Sequence, residues 1–287
     1  MSGPASSIMQ NELADSAAGN PDAAQDLYGS GIRIGLYLQA LGWILYSHGD
    51  GKGLRLASGS ITIPILVSWF IFASKQLFSP CEAFIVLAIL ASLNFPAKAT
   101  LQNFDFEEIS SEAVGVIMLL LVELGICGAL LWLFSTLVKS LPALQTENVV
   151  FFFAKVPIRG WFRILALVYC SFDAATSIYF CYKVYRAYFR PGTKTPQEIL
   201  KPEPVYSFLY WAVWLLAVLG VELTIKWNHL APVTDFQSPG QLIPFITGII
   251  ILIDSAFVTS NRVLKILNIF TGTTPSRNIK SSAPGEP

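Results

Sequence analysis

Charge is scarce in this chain. Asp, Glu, Lys and Arg make up 13% of the 287 residues, about half the share of an average soluble domain. The two signs balance at 19 each. There is no basic excess of the kind that follows nucleic-acid phosphates, so nucleic acid is excluded as a partner. Histidine is rarer still. Only His48 and His229 occur, both in expected loops, so no histidine cluster is available for a di-iron oxidase or desaturase. The four cysteines, Cys81, Cys127, Cys170 and Cys181, form no C-x-x-C pair. They read as small buried hydrophobes rather than as a disulfide framework or metal ligands. The first 28 residues contain no basic stretch leading into an apolar core, so no cleavable signal peptide is expected there.

What the chain has is oil. Hydrophobic residues make up 53% of it, gathered in long blocks. A helix needs roughly 20 apolar residues to cross the hydrocarbon core, and several blocks meet that. A membrane β-barrel would show short alternating segments instead. The fold class is therefore all-α: a polytopic membrane protein, a bundle of about seven transmembrane helices. The expected spans are 31–47, 60–76, 80–96, 113–138, 161–185, 205–226 and 241–262. The second and third are short and close together, which leaves room for a tight hairpin or a re-entrant segment. Residues 1–28 and 269–287 read as disordered tails flanking a seven-helix domain at 29–268. Residues 142–160 are too short to span and read as an interfacial cap with Phe151, Phe152 and Phe153 dipping into lipid or protein. The acidic run 105–112 reads as an exposed helix start.

Lys and Arg set orientation. Lys52, Arg55, Lys98, the basic run Lys183–Lys201 and the C-terminal Arg262, Lys265, Arg277 and Lys280 fall on one side. They outnumber the opposite set, which is richest at Lys139–Arg163. The C-terminus is expected to be cytosolic and the N-terminus luminal, in the endoplasmic reticulum or another endomembrane.

Four acids lie inside spans: Glu123, Asp173, Glu222 and Asp254. A carboxylate at mid-bilayer costs roughly 2.5–3.5 kcal/mol on insertion scales, so such groups face the bundle interior, pair, or stay protonated. Glu222 sits four residues before Lys226, a ready headgroup-level partner. Asp173 shares a helical stripe with Tyr169 and Ser177 and could bridge two helices through them. Glu123 has no polar partner on its own helix, and Asp254 shares a face with Thr247, Ile250, Phe257 and Asn261. These two are the leading candidates for carboxyls kept neutral, with a buried interhelical pair as the structural alternative. Arg33 is a snorkelling residue or a counter-ion for one of the acids. Trp227 reads as an aromatic-belt anchor. Asn228 and Gln241 read as caps of helix ends or as groups orienting a carboxyl.

A neutral carboxyl in a dry cavity can protonate an alkene or open an epoxide, if aromatic faces stabilise the cation by about 0.5–2 kcal/mol each. The 20 Phe, 10 Tyr and 7 Trp provide such faces, although membrane helices are aromatic-rich anyway. That combination suits cyclisation of a hydrophobic prenyl chain already dissolved in the membrane. There is no Asp-Asp-x-x-Asp run to hold a diphosphate through magnesium, which argues against ionisation-initiated chemistry. No mid-helix Lys in the last span offers a retinal attachment site. Two other classes stay open: a non-catalytic seven-helix receptor or sensor, marked by a ligand-dependent change in the basic loop 183–201, and a small-molecule or proton-coupled transporter, which should show inverted repeats.

The stretch "DLYGSGIRIGLYLQALGWIL" (26–45), together with "VELTIKWNHLAPVTDFQSPGQLIPFITGI" (221–249), resembles a group of filamentous-fungal multi-pass membrane proteins. Some of that group look like integral-membrane terpene cyclases of meroterpenoid biosynthesis. The resemblance covers the bundle from about 26 to 262, with motif-like identity at the two ends. It puts Arg33, Glu222, Trp227, Asn228 and Gln241 in the family pattern. It implies a protonation-initiated cyclase (an isomerase-type enzyme) that needs no cofactor or metal and acts on a hydrophobic prenylated molecule in the bilayer. On this reading Glu123, Glu222 or Asp254 is the acid. Asp173, Tyr169, Trp211, Trp227, Asn228, Gln241 and Arg33 line the substrate.

Overall fold

The structure is a computed structural model, and it describes residues 26–46, 53–102, 113–142, 148–189, 204–230 and 238–270. The acidic run 105–112, most of the basic loop and the outer parts of both tails lie outside these residues. Among the described residues seven long helices carry the fold: α1 (Ser30–Tyr46), α2 (Leu54–Ser74), α3 (Pro80–Gln102), α4 (Ala113–Trp132), α5 (Trp161–Phe189), α6 (Pro204–Trp227) and α7 (Pro239–Phe270). A π-helical turn, Leu133–Leu137, and a last short piece, Val138–Ser140, extend α4. Six segments, those of α2 to α7, are long and apolar enough to cross a membrane. The chain is an all-α polytopic membrane protein.

α1 is shorter, at 17 residues, but its path is fixed by α7. Gly31 lies against Gln241, Gly35 against Pro244 and Gly42 against Ile251. Thr259 then donates to the Leu45 carbonyl at 3.0 Å. The two helices run parallel. Glycine makes the approach possible: a Cβ on Gly35 would lie 2.3 Å from the Pro244 carbonyl oxygen, and one on Gly248 would lie 2.3 Å from that of Gly35. Without a hydrophobic drive between helices in lipid, such small-residue contacts supply the dispersion energy.

α3 is the central helix, with 78% of its apolar window buried. It packs on α1, α2, α4 and α6, while α5 sits outside against α4 and α7 outside against α1. Among the described residues α5 and α6 make few contacts with each other. α3 starts as the sequence Ser-Pro-Cys-Glu dictates. The Ser79 hydroxyl accepts from the Glu82 N–H at 3.3 Å, and the Glu82 carboxylate accepts from the Ser79 N–H at 2.8 Å. This is a reciprocal capping box, with Pro80 at the first helical position, where its missing N–H costs nothing. Fully buried Trp69 and Trp43 lock α2 to its neighbours by donating to the Ala83 carbonyl and to the Ser58 hydroxyl, both at 3.0 Å.

Within the segment 142–160, the described residues form a short β-hairpin. β1 (Val149–Phe151) pairs antiparallel with β2 (Lys155–Pro157). Phe153 sits at its tip, exposed, with a left-handed φ of 58°. Two arginines just beyond it close the end of α4. Arg159 donates to the Val138 and Leu141 carbonyls, both at 3.0 Å, and Arg163 donates to Phe134 and Ser135. These satisfy the carbonyls that a helix end and a π-turn leave unpaired.

Three expectations need correction. The span expected at 80–96 continues through Pro96 to Gln102, so α2 and α3 are two full helices rather than a re-entrant pair. Proline removes one helical hydrogen bond but does not stop a helix packed on every side. Lys98 is therefore an intrahelical residue, not a loop charge. Finally, the chain is already packed at Asp26–Tyr28, inside the segment read as a tail. Leu27 and Tyr28 are buried.

Candidate functional site

Three helices meet at one polar cluster in an otherwise apolar region. Asn94 and Lys98 lie one turn apart on α3, Glu123 and Cys127 one turn apart on α4, and Asp173 and Ser177 one turn apart on α5. Each pair shares a helix face by its spacing of four. The Lys98 ammonium donates to Glu123 Oε1 at 2.5 Å, to Asp173 Oδ1 at 2.8 Å and to Ser177 Oγ at 3.0 Å. That uses all three of its N–H bonds. The other Glu123 oxygen accepts from the Asn94 amide. The Ser177 hydroxyl lies 2.6 Å from Glu123 Oε1 and 2.8 Å from its own helix's Asp173 carbonyl. Cys127 Sγ lies 3.5 Å from Asp173 Oδ2.

Glu123 is buried, Lys98 nearly so, and the Asp173 side chain keeps 31% of its surface exposed. The ligand atoms of Glu123, Cys127 and Asp173 lie within 4.8 Å of one another, close enough to hold a metal ion. The Lys98 ammonium, bonded to both carboxylates, already supplies a cation there. One ammonium faces two carboxylates, so the cluster is one positive charge short of neutrality.

A second ion pair lies near the other end of the bundle, on the side of the β-hairpin. Arg33 of α1 donates to both oxygens of Glu222 on α6, at 2.9 and 2.8 Å, and the Tyr37 hydroxyl donates to the same carboxylate at 3.2 Å. Lys226 is not the partner. Arg33 is buried and Glu222 half-exposed. Close by, the Tyr28 hydroxyl donates to Glu82 at 2.9 Å. Burial, and then the Glu82 charge, push its ionisation well above the ordinary tyrosine range. Gln241 ties this end together: its carbonyl accepts from the Ile32 N–H at 3.2 Å and its amide donates to the Asp26 carbonyl at 2.9 Å. It caps α1, not its own helix.

Comparison with protein-family models, curated proteins and solved structures finds no match.

The remaining candidates take structural positions. Asn228 clasps the hairpin edge: its carbonyl accepts from the Val149 N–H at 3.0 Å, and its amide donates to the Val149 carbonyl at 2.6 Å and the Thr224 carbonyl at 2.7 Å. Trp227 packs on Phe151 at 5.9 Å and lies under the Lys155 ammonium at 5.5 Å. Trp211 and Tyr169 are exposed on the lipid-facing sides of α6 and α5. Asp254 is exposed on the outer face of α7, and no bonding partner for it lies among the described residues.

The three candidate acids are thus kept apart. Glu123 is in the buried cluster, Glu222 is paired with Arg33, and Asp254 faces outward. Of the candidate residues, only Glu123 and Asp173 come together through side-chain bonds at the cluster. A cleft of about 380 Å³ opens between α1, α2 and the start of α7, lined by Asp26, Ile32, Pro64, Ser68 and Gln241 among others. No residue of the buried cluster lines it. Lys98 and Asn94 are the residues the sequence reading missed. The signal is in the sequence: Asn94 and Lys98 are spaced by four across Pro96.

Proposed function

We propose that this chain is a proton-exchanging membrane protein, working as a proton-coupled carrier of a small molecule, with Lys98, Glu123 and Asp173 as its centre. One observation carries the reading: a single buried ammonium bonded to two carboxylates from two other helices. Buried charge inside a membrane is costly and marks ion and proton pathways. Two carboxylates with one ammonium leave a deficit that one proton fills. Asp173 is the more accessible acid and belongs to the outermost helix of the cluster. With Asp173 ionised, Lys98 pins α5 to α3 and α4. With Asp173 protonated, Lys98 is neutralised by Glu123 alone, and the bond holding α5 weakens. That is a two-state element biased by a proton.

The test is proton flux in liposomes holding the purified chain and an internal pH dye, with small solutes added across an imposed pH gradient. The reading expects at least one solute to evoke proton movement that Asp173→Asn abolishes. Flux that is indifferent to Asp173→Asn and to Lys98→Met would contradict it. The surplus of Lys and Arg on the C-terminal side, which persists without Lys98, favours a cytosolic C-terminus.

A second reading keeps the cyclase chemistry and narrows it to the same cluster. Asp173 is partly open toward the aromatic outer face of α5, where Tyr169 and Phe172 are exposed. A prenylated molecule could approach from the lipid. Membranes carrying the chain, fed linear prenylated phenols or their epoxides, should then form cyclic product that Glu123→Gln or Asp173→Asn removes. The carrier reading expects no product.

A further inference from the structure

The outer face of α7 carries a regular seam that nothing in the described fold covers. α7 gives one face to α1, through Pro244, Gly248, Ile251 and Thr259. About a third of a turn away, Ile243, Ile250, Phe257 and Leu264 stand out at 60%, 60%, 66% and 53% exposure. Between them, seven residues apart, come Thr247, Asp254 and Asn261, half-exposed or exposed. Steps of four and three residues alternate along the whole row. That is the heptad spacing by which one helix can face another, here with one apolar and one polar position per heptad.

We infer that α7 docks on α7 of a second copy, forming a parallel homodimer with Asp254 at its centre. Copies inserted in one bilayer share an orientation, so a two-fold axis runs along the membrane normal. A helix on that axis meets its own copy in parallel and in register. In-register contact brings Thr247, Asp254 and Asn261 each to its own counterpart. Asn261 amides can donate to and accept from each other. Two Asp254 carboxyls can hydrogen-bond directly when they share one proton. Lipid tails offer Asp254 no hydrogen bond, and its own chain gives it none among the described residues. Polar contacts of this kind, with close packing, are what join helices in lipid. The inference is independent of the proton-exchange reading, because it uses no residue of that cluster.

Oxidative cross-linking of the full chain in membranes tests it. With Cys181 replaced by Ser and the three buried cysteines kept, Ile250→Cys and Phe257→Cys should give disulfide dimers. Their yield should be several-fold above that of Ala256→Cys, which is exposed on another side of α7. Adding Asp254→Leu to the Phe257→Cys chain should lower the dimer several-fold. Asp254 points away from the bundle, so that change leaves the monomer folded. Equal yields at the three positions, adducts with other proteins only, or an Asp254→Leu chain that cross-links unchanged would each overturn the inference.

Discussion

Lys98 has three N–H bonds, and the fold uses all of them on groups from two other helices. Its removal strands one buried carboxylate, Glu123, and one partly buried, Asp173. Breaking one side of a buried ionic group typically costs about 3–5 kcal/mol. Lys98→Met should therefore lower the melting temperature of the detergent-solubilised chain markedly. Adding Glu123→Gln and Asp173→Asn to it should restore most of the loss, because the buried charge is then gone. A triple variant no more stable than Lys98→Met would show that the charge imbalance is not the cause. Asn228 makes a second residue-scale case. Asn228→Ala leaves both polar groups of Val149 without their partner, a loss of about 1–3 kcal/mol, readable in the same melting experiment.

At this scale the sequence showed the cost but not the partners. Glu123 is a buried acid, and on its own helix only the Cys127 thiol comes near it, at 3.9 Å. Its compensation comes from residues 94, 98 and 177, and one sequence holds no record of which helix faces which. Glu222 illustrates the same limit. A lysine four residues away is a good local guess, but an arginine 189 residues away in sequence takes the pair.

At the scale of the element, periodicity and apolar length carried nearly everything. Each of the seven spans has its helix, and the start of α3 follows from Ser79, Pro80 and Glu82. Errors fell at helix ends, where proline was given too much weight. They also fell at 149–157, where two three-residue strands are too short to show alternation. The α1–α7 contact was not legible as a contact, although its glycines were plain in the sequence. It gives a sharp prediction. A Cβ at Gly35 meets backbone at 2.3 Å, whereas one at Gly128 meets nothing within 4 Å. Gly35→Ala should cost about 1–3 kcal/mol by overpacking and reduce the yield of monodisperse protein. Gly128→Ala should stay within about 0.5 kcal/mol of the parent. Equal behaviour of the two variants would mean that α1 and α7 do not touch as closely as described.

At the scale of the whole molecule, composition sufficed for the class: few charges, long apolar blocks and no basic excess. The arrangement around α3 needed the three-dimensional fold. So did the separation of the polar groups into a buried cluster and an ion pair near the hairpin. If α1 crosses beside α7 as the six apolar helices do, seven crossings put the two termini on opposite sides. Glycosylation-acceptor tags at each end should therefore be modified at one end only, and modification of both or neither would require an even number of crossings.

The central claim, that the buried cluster holds one exchangeable proton, has a direct readout. Infrared difference spectra of the membrane-embedded chain between acidic and alkaline buffer report the carbonyl stretch of protonated carboxyls. The account predicts a band that appears on acidification, resists fast solvent exchange, and disappears in Asp173→Asn but survives in Glu222→Gln. A spectrum with no such band, or one unchanged by Asp173→Asn and by Glu123→Gln, would contradict it.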